Sequence, residues 1–187
     1  GIIACGHGTN VASIAAGTNG IAPEANIIAI QVFSLVQNAP ASQFVAGQPF
    51  GPTLGGGAPP NTPACGAGTV ANAQCILATT ADIVGALDEV AVLADSFDIA
   101  AVNMSLGRGT FNAACDINLT TGLPDVRALA IDNLYTLGIA SVIASGNQGL
   151  VNAMAAPACM TNAISVSSTL DTQLPAADLS TGLAPYV

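Results

Sequence analysis

The chain has 187 residues and a formal net charge of −9, from 11 acidic and 2 basic side chains. Apolar residues make up 51% of the sequence and charged residues only 7%, which excludes an intrinsically disordered chain. Two basic residues cannot form a surface that follows a phosphate backbone, so nucleic-acid binding and a polybasic membrane patch are excluded. No stretch is apolar over the roughly 18 residues that a membrane helix needs, and the length indicates one domain.

Apolar periodicity and turn residues predict the first half of the chain. A helix is expected over residues 7–16, with Gly17 at its C-terminal cap, followed by a buried parallel strand over residues 26–33. Residues 34–78 are expected to form an insertion. Six prolines and a run of three glycines predict that it has no regular structure as far as residue 74.

Helices and strands alternate in the second half. Thr79 and Asp82 fit a capping box, which predicts a helix continuing to Ala94. A second helix is expected over residues 124–137, and its predicted apolar face consists of Val126, Ala130, Leu134 and Leu137. Strands are predicted over residues 99–104, 139–145 and 164–168. This alternation predicts an α/β fold with a parallel sheet.

Five cysteines bear on the cellular compartment. Cys65 and Cys75 bracket a short loop and are expected to form a disulfide, Cys115 and Cys159 are available for a second, and Cys5 is left over. Five reduced thiols in a cytosolic protein are the alternative. The absence of lysine and the long Pro/Gly-rich segment favour an exported protein. A zinc site is not expected, because the sequence has one histidine and no C-x-x-C pair.

Three segments are candidates for chemistry, because ligands of parallel α/β sheets bind beyond the carboxyl ends of strands. Each has a simpler interpretation. The simpler interpretation of His7 is a core or surface residue whose hydrogen-bonding groups are satisfied by its surroundings. The simpler interpretation of Asn147 is a turn residue that tolerates left-handed backbone. Gly6 and Gly8 fit a dinucleotide loop poorly, since no third glycine follows at the required offset. The segments are Gly6-His7-Gly8-Thr9-Asn10-Val11-Ala12, Asn103-Met104-Ser105-Leu106-Gly107 and Ala144-Ser145-Gly146-Asn147-Gln148-Gly149.

Taken in order, these segments resemble the subtilisin-like serine proteases, the subtilases. Two further stretches add to the resemblance: Gly20-Ile21-Ala22-Pro23, and Pro157-Ala158-Cys159 followed by Ala163-Ile164-Ser165-Val166. The resemblance implies a subtilisin-like three-layer α/β fold with a mostly parallel central sheet, forming one catalytic domain over residues 1–187.

The resemblance also implies roles for individual residues. His7 would be the general base that takes the proton from a serine nucleophile. Asn147 would donate its side-chain amide to the oxyanion hole. The substrate backbone would pair with Ser105, Leu106 and Gly107 as an added strand. The pocket for the residue before the scissile bond would be walled by Ser145 and Gly146.

The sequence departs from the family pattern in two ways. Asn10 stands where the family usually has a second histidine, which is not the general base. The triad order is Asp, His, Ser, with Asp roughly 32 residues before His and Ser roughly 157 after it. Only six residues precede His7, and allowing for the insertion places the serine near position ~213. The chain is therefore expected to be a piece of a catalytic domain, incomplete at both ends and inactive alone.

The expected function is hydrolysis of peptide bonds in protein substrates by a secreted serine endopeptidase that acts as a monomer. The chemistry requires no cofactor and no metal ligand is identified, while structural calcium is left open. One alternative is a non-catalytic subtilase relic that binds peptides. Another is an unrelated α/β domain that binds a small molecule.

Overall fold

The computed structural model describes residues 6–37, 74–147 and 151–167. These residues form a mixed α/β structure, as predicted. In chain order its elements are α1 (His7–Ala16), β1 (Ser34–Gln37), β2 (Gln74–Leu77), α2 (Thr80–Leu93), β3 (Ala101–Met104), β4 (Arg108–Phe111), α3 (Val126–Thr136), β5 (Ala140–Ala144), β6 (Met154–Ala156) and β7 (Ala163–Val166).

A three-stranded sheet forms the centre of the fold. Its order is β3-β5-β7, both pairings are parallel, and the register aligns Met104 with Ile143 and Ile143 with Ser165. The predicted parallel sheet is thus confirmed, with strands one or two residues shorter than expected. Since the three strands run in one direction, the segments that follow β3 and β5 leave the sheet at the same edge.

The core lies between this sheet and the helices α2 and α3. Ile143 is completely buried in β5, and the same cluster takes Met104 from β3. On the opposite face of the sheet, Ile164 and Val166 of β7 are exposed, while Val142 of β5 is partly buried. The helical side chains buried in the cluster are Ile83, Leu87 and Val90 of α2, and Ala128, Ala130, Ile131 and Leu134 of α3.

Local signals set the helix ends. The capping box of α2 is confirmed, because the Thr79 hydroxyl accepts from the Asp82 amide and the Asp82 carboxylate accepts from the Thr79 amide. The bounds of α1 match the prediction, but Gly17 caps it with extended backbone at φ −68°. Crowding explains the glycine there, since a Cβ would lie 2.5 Å from the Ser13 carbonyl oxygen.

The predicted strand over residues 26–33 is wrong. These residues form no strand, and Ile27 remains 50% exposed. Their apolar run matched the pattern of a buried strand, but a strand also needs a hydrogen-bonded neighbour, and within the described residues this segment has none. Apolar composition alone therefore did not decide the structure here.

The predicted buried face of α3 is half wrong. Ala130 and Leu134 are buried as expected, whereas Val126 and Leu137 are exposed. The helix begins at Val126 behind an Asp125 cap rather than at Pro124, and its buried stripe passes through Ala128 and Ile131 instead. The prediction chose the wrong stripe because α3 also has apolar side chains on its outer surface.

Two antiparallel strand pairs were not predicted. Strand β1 pairs with β2, so regular structure occurs at both ends of the segment expected to be irregular, while residues 38–73 lie outside the described part. Strand β4 pairs with β6 through an irregular register. None of the described helices is long and apolar enough to cross a membrane.

Candidate functional site

Two of the predicted site segments lie together at the carboxyl edge of the sheet. Residues 105–107 follow β3 directly, and residues 145–146 follow β5. The amide of Ser145 donates to the Val166 carbonyl at 2.9 Å, which ties it to the end of β7. A Cβ placed on Gly107 would lie 3.5 Å from the Ala144 carbonyl oxygen, so the two segments are in close proximity.

Ala155 of β6 lies between these two segments. Its amide donates to the Ser145 carbonyl at 2.7 Å, and its methyl group would be 3.1 Å from a Cβ on Gly107. The side chain of Ala155 is fully buried. Sequence reasoning missed this residue, because an alanine in an Ala155-Ala156 pair carries no chemical signal; only the pairing of β4 with β6 places it here.

A hydrogen bond also connects two side chains at the C-terminal end of β3. The Asn103 amide donates to the Ser105 hydroxyl at 3.0 Å. Leu106 is partly buried and packs against the core cluster, which fixes the path of the chain towards Gly107. Residues 105–107 are therefore held from both sides, by the core and by β6.

The turn after β5 places Asn147 at the surface. Gly146 adopts φ 120°, a conformation that favours glycine, and Asn147 follows it with an exposed side chain. Within the described part of this turn, a positive φ angle therefore occurs at Gly146. An exposed side chain here is accessible to a ligand at the sheet edge.

His7 is not joined to this edge. It opens α1 with an exposed side chain, and no residue of α1 is buried. The described hydrogen bonds of residues 6–25 all stay within that stretch. A surface groove of about 450 Å³ beside α1 is lined by residues between Ser13 and Ile21 and includes none of the predicted site residues.

A charged cluster includes Arg108 of β4 and Arg127 of α3, the two basic residues of the chain. Arg127 donates from Nε and Nη2 to the Asp125 carboxylate at 2.9 and 2.7 Å. Burial raises the pKa of Asp125, but the hydrogen bonds and charge of Arg127 outweigh this and hold the pKa below its usual value. Burial, with repulsion from Arg127, lowers the pKa of Arg108 to about 10.

A disulfide joins Cys115 and Cys159, as the sequence made possible, with a Cα–Cα distance of 5.4 Å. The Cys159 amide also donates to the Ala155 carbonyl at 3.1 Å. The disulfide and this hydrogen bond together connect the segment between β4 and α3 to Ala155, which lies between the two site segments. Cys5 and Cys65 lie outside the described residues, and the side chain of Cys75 is not described.

Comparison with models of known protein families tests the family relationship that the motifs indicated. The family model of the subtilases matches residues 4–184. The chain belongs to the subtilase family. No curated protein and no solved structure matches it.

The edge formed by residues 105–107 and 145–146 is therefore part of a subtilase. Members of this family are normally serine peptidases, so a protein substrate is the relevant ligand class. Within residues 6–37, 74–147 and 151–167 of this subtilase, no three His, Cys, Asp or Glu side chains come close enough together to hold a metal ion.

Proposed function

We propose that the protein is a serine endopeptidase that cleaves peptide bonds in protein substrates outside the cytosol. The observation that carries the proposal is the meeting of residues 105–107 and 145–146 around Ala155 at the carboxyl edge of the sheet. In this proposal residues 105–107, which continue from β3, pair with an extended substrate backbone as an added strand. The Cys115–Cys159 disulfide supports an oxidising compartment.

In this proposal each residue has a defined task. His7 accepts the proton of the serine nucleophile and returns it to the leaving amine. The Asn147 amide donates to the oxygen that becomes negatively charged in the tetrahedral intermediate. Ser105, Leu106 and Gly107 align the substrate backbone, while Ser145 and Gly146 line the pocket for the side chain before the scissile bond.

The second candidate is peptide binding without hydrolysis. It uses the same edge and the same residues 105–107, but it requires neither a proton acceptor at His7 nor a donor at Asn147. The exposed position of His7, away from the hydrogen bonds of the sheet edge, is the observation that favours it. The two candidates differ in one measurable property, which is turnover.

The test uses the full-length protein with casein as substrate and a fluorophosphonate probe that labels activated serines. We expect cleavage and labelling in the unsubstituted protein, and a loss of turnover by several orders of magnitude in His7→Ala. Asn10→Ala is the matched control, since Asn10 is also exposed in the first turn of α1. Binding of casein without cleavage or labelling in the unsubstituted protein would establish the second candidate instead.

A further inference from the structure

Two asparagines of the sequence stand in the acceptor pattern for N-linked glycosylation, which is Asn-x-Ser or Asn-x-Thr with a residue other than proline in the middle. The two tripeptides are Asn103-Met104-Ser105 and Asn118-Leu119-Thr120. The pattern does not distinguish between them. Their positions in the fold do, because a glycosyl-transferring enzyme has to reach both the side-chain amide and the hydroxyl group two residues later.

The first tripeptide is part of the central sheet. Asn103 is a residue of β3 and pairs with Val142 of β5. Met104 is buried in the core, and the Asn103 amide donates to the Ser105 hydroxyl at 3.0 Å. An enzyme could take up this tripeptide only by pulling β3 out of the sheet. We therefore expect Asn103 to stay unmodified in the folded protein.

The second tripeptide lies in a hairpin, residues 116–125, between β4 and α3. The Asn118 backbone amide donates to the Leu123 carbonyl at 2.9 Å, which closes the hairpin. Asn118 is partly exposed, Thr120 is exposed, and Leu119 between them is 88% exposed. The amide and the hydroxyl that the pattern requires are thus on a surface turn.

The turn also arranges the Asn118 side chain for reaction. Its Oδ1 accepts from the backbone amide of Thr120 at 2.9 Å and from that of Thr121 at 3.2 Å, which is an Asx turn. An amide nitrogen is a weak nucleophile and has to lose a proton when it forms a bond to a sugar. Hydrogen bonds to the amide oxygen stabilise the negative charge that this loss leaves, so they favour the reaction.

The disulfide of the protein agrees with the compartment in which N-linked glycans are attached. Asparagines in this pattern are modified on surface loops of secreted proteins. The Cys115–Cys159 bond, close to Asn118 in the sequence, supports an oxidising compartment. The pattern, its exposure, the Asx turn and the disulfide therefore agree on one residue.

We propose that Asn118 is a glycosylation site and carries an N-linked glycan. The donor is an oligosaccharide bound to a lipid diphosphate, and a transferase catalyses the step. The Asn118 Nδ2 atom forms a bond to the anomeric carbon of the sugar, while the bond from that carbon to the diphosphate oxygen breaks. The lipid diphosphate leaves with the electron pair, and a base of the transferase takes the amide proton. The modification does not depend on peptidase activity.

The experiment isolates the full-length protein from the cells that naturally produce it and maps its peptides by mass spectrometry. We expect a sugar-bearing peptide that contains Asn118 and an unmodified peptide that contains Asn103. Fragmentation of the first peptide should place the glycan on Asn118. The same peptides report whether Cys115 and Cys159 are bonded, and casein cleavage is measured on a separate sample.

Variants produced in the same cells test the pattern. Asn118→Gln and Thr120→Val should lose the glycan completely, because one removes the acceptor amide and the other the required hydroxyl. Thr120→Ser should keep the glycan, since it restores the hydroxyl. Asn112→Gln is the matched control, because Asn112 is another exposed asparagine in the segment after β4 but lies outside the pattern.

Each other outcome overturns the proposal. An unmodified Asn118 in protein with a formed disulfide does so directly. An unmodified Asn118 with reduced Cys115 and Cys159 does so too, and it also contradicts export. A glycan found on Asn103 instead shows that exposure does not select the site, and a sugar retained by Thr120→Val is not attached through the pattern. Absence of casein cleavage by glycosylated protein contradicts the peptidase proposal alone.

Discussion

Asn147 shows how much the role of a single side chain depends on its neighbour. Gly146 has φ 120°, so a positive φ angle in the described part of this turn lies at a glycine. The side chain is exposed at the edge where residues 105–107 and 145–146 meet. An oxyanion donor needs this kind of accessible position, and the two interpretations of Asn147 predict different kinetics.

We expect Asn147→Leu to lower kcat by a factor of about 10²–10³, or about 2.7–4 kcal/mol, with KM nearly unchanged. This is the effect that subtilisin, a member of the same family, shows when it loses its donor. The reason is that the amide bonds more strongly to the developing oxyanion than to the ground-state carbonyl. Steady-state kinetics of the full-length protein provide the measurement.

Two further variants separate this role from a turn role. Asn147→Gln should recover little activity, because one extra methylene moves the amide away from the oxyanion. If Asn147 serves only the turn, Asn147→Gly keeps normal kcat and Asn147→Leu lowers the melting temperature before it lowers kcat. A Gly variant with normal turnover would remove Asn147 from the proposed site.

At the scale of elements, short strands and loops position the site more than the helices do. The pairing of β4 with β6 places Ala155 between the two site segments, and the turn after β6 carries both Cys159 and Thr161. The Asp116 carboxylate receives two hydrogen bonds from Thr161 across 45 residues of sequence. This contact links the hairpin of residues 116–125 to the segment that leads into β7.

The Asp116 contact predicts a loss of stability in acid. Burial raises the pKa of Asp116, but the hydrogen bonds from Thr161 outweigh burial and leave the pKa below its usual value. The folded state therefore holds the proton less tightly than the unfolded state. The stabilisation is complete above the unfolded pKa and is lost as pH falls below 3.8 and through the folded pKa.

We expect the free energy of unfolding of the unsubstituted protein to fall more than that of Asp116→Asn between about pH 6 and about pH 3. The pKa values of Asp82 and Asp125 are also lowered, so a decline common to both proteins remains. Urea unfolding at a series of pH values measures the difference. Thr161→Val is the partner variant, and NMR titration should show a higher pKa for Asp116 in it. Parallel pH profiles for the unsubstituted protein and Asp116→Asn would contradict the argument.

At the scale of the whole molecule, the described core is one-sided. It lies between α2, α3 and one face of the three-stranded sheet, and it includes Leu134, Ile131 and Ile143 with no exposed surface. Helix α1 contributes no buried residue. Stability within the described part therefore depends mainly on the contacts of α2 and α3 with each other and with β5.

Two leucines of α3 test this one-sided core. Leu134 has no exposed surface, and Leu129 on the same helix is 53% exposed. We expect Leu134→Ala to reduce the free energy of unfolding by about 2–5 kcal/mol, because it removes transfer energy and leaves a cavity. Leu129→Ala should change it by about 0.5 kcal/mol or less. Urea unfolding of both variants gives the comparison, and similar losses would show that the assignment of the buried face is wrong.

The sequence by itself determined the α/β class, the parallel sheet, the bounds of α1 and the capping box of α2. It also indicated the Cys115–Cys159 pair and the family. The bounds of α1 and the capping box of α2 depend on signals that lie within a few residues of one another, such as the Thr79–Asp82 cap or the apolar period of a helix. Local backbone chemistry is enough to produce these local features. They can therefore be predicted from the sequence without knowing which distant segments pack against them.

Only the tertiary structure decided the pairing of β4 with β6, the position of Ala155 and the buried stripe of α3. It also showed that residues 26–33 do not form a strand and that the described hydrogen bonds of residues 6–25, the stretch that includes His7, stay within that stretch. These features depend on residues distant in sequence, such as Gly107 and Ala155. Hydrogen bonding and packing between distant segments select one arrangement among several that the same apolar pattern allows. That selection takes place only when the sheet and its helices come together.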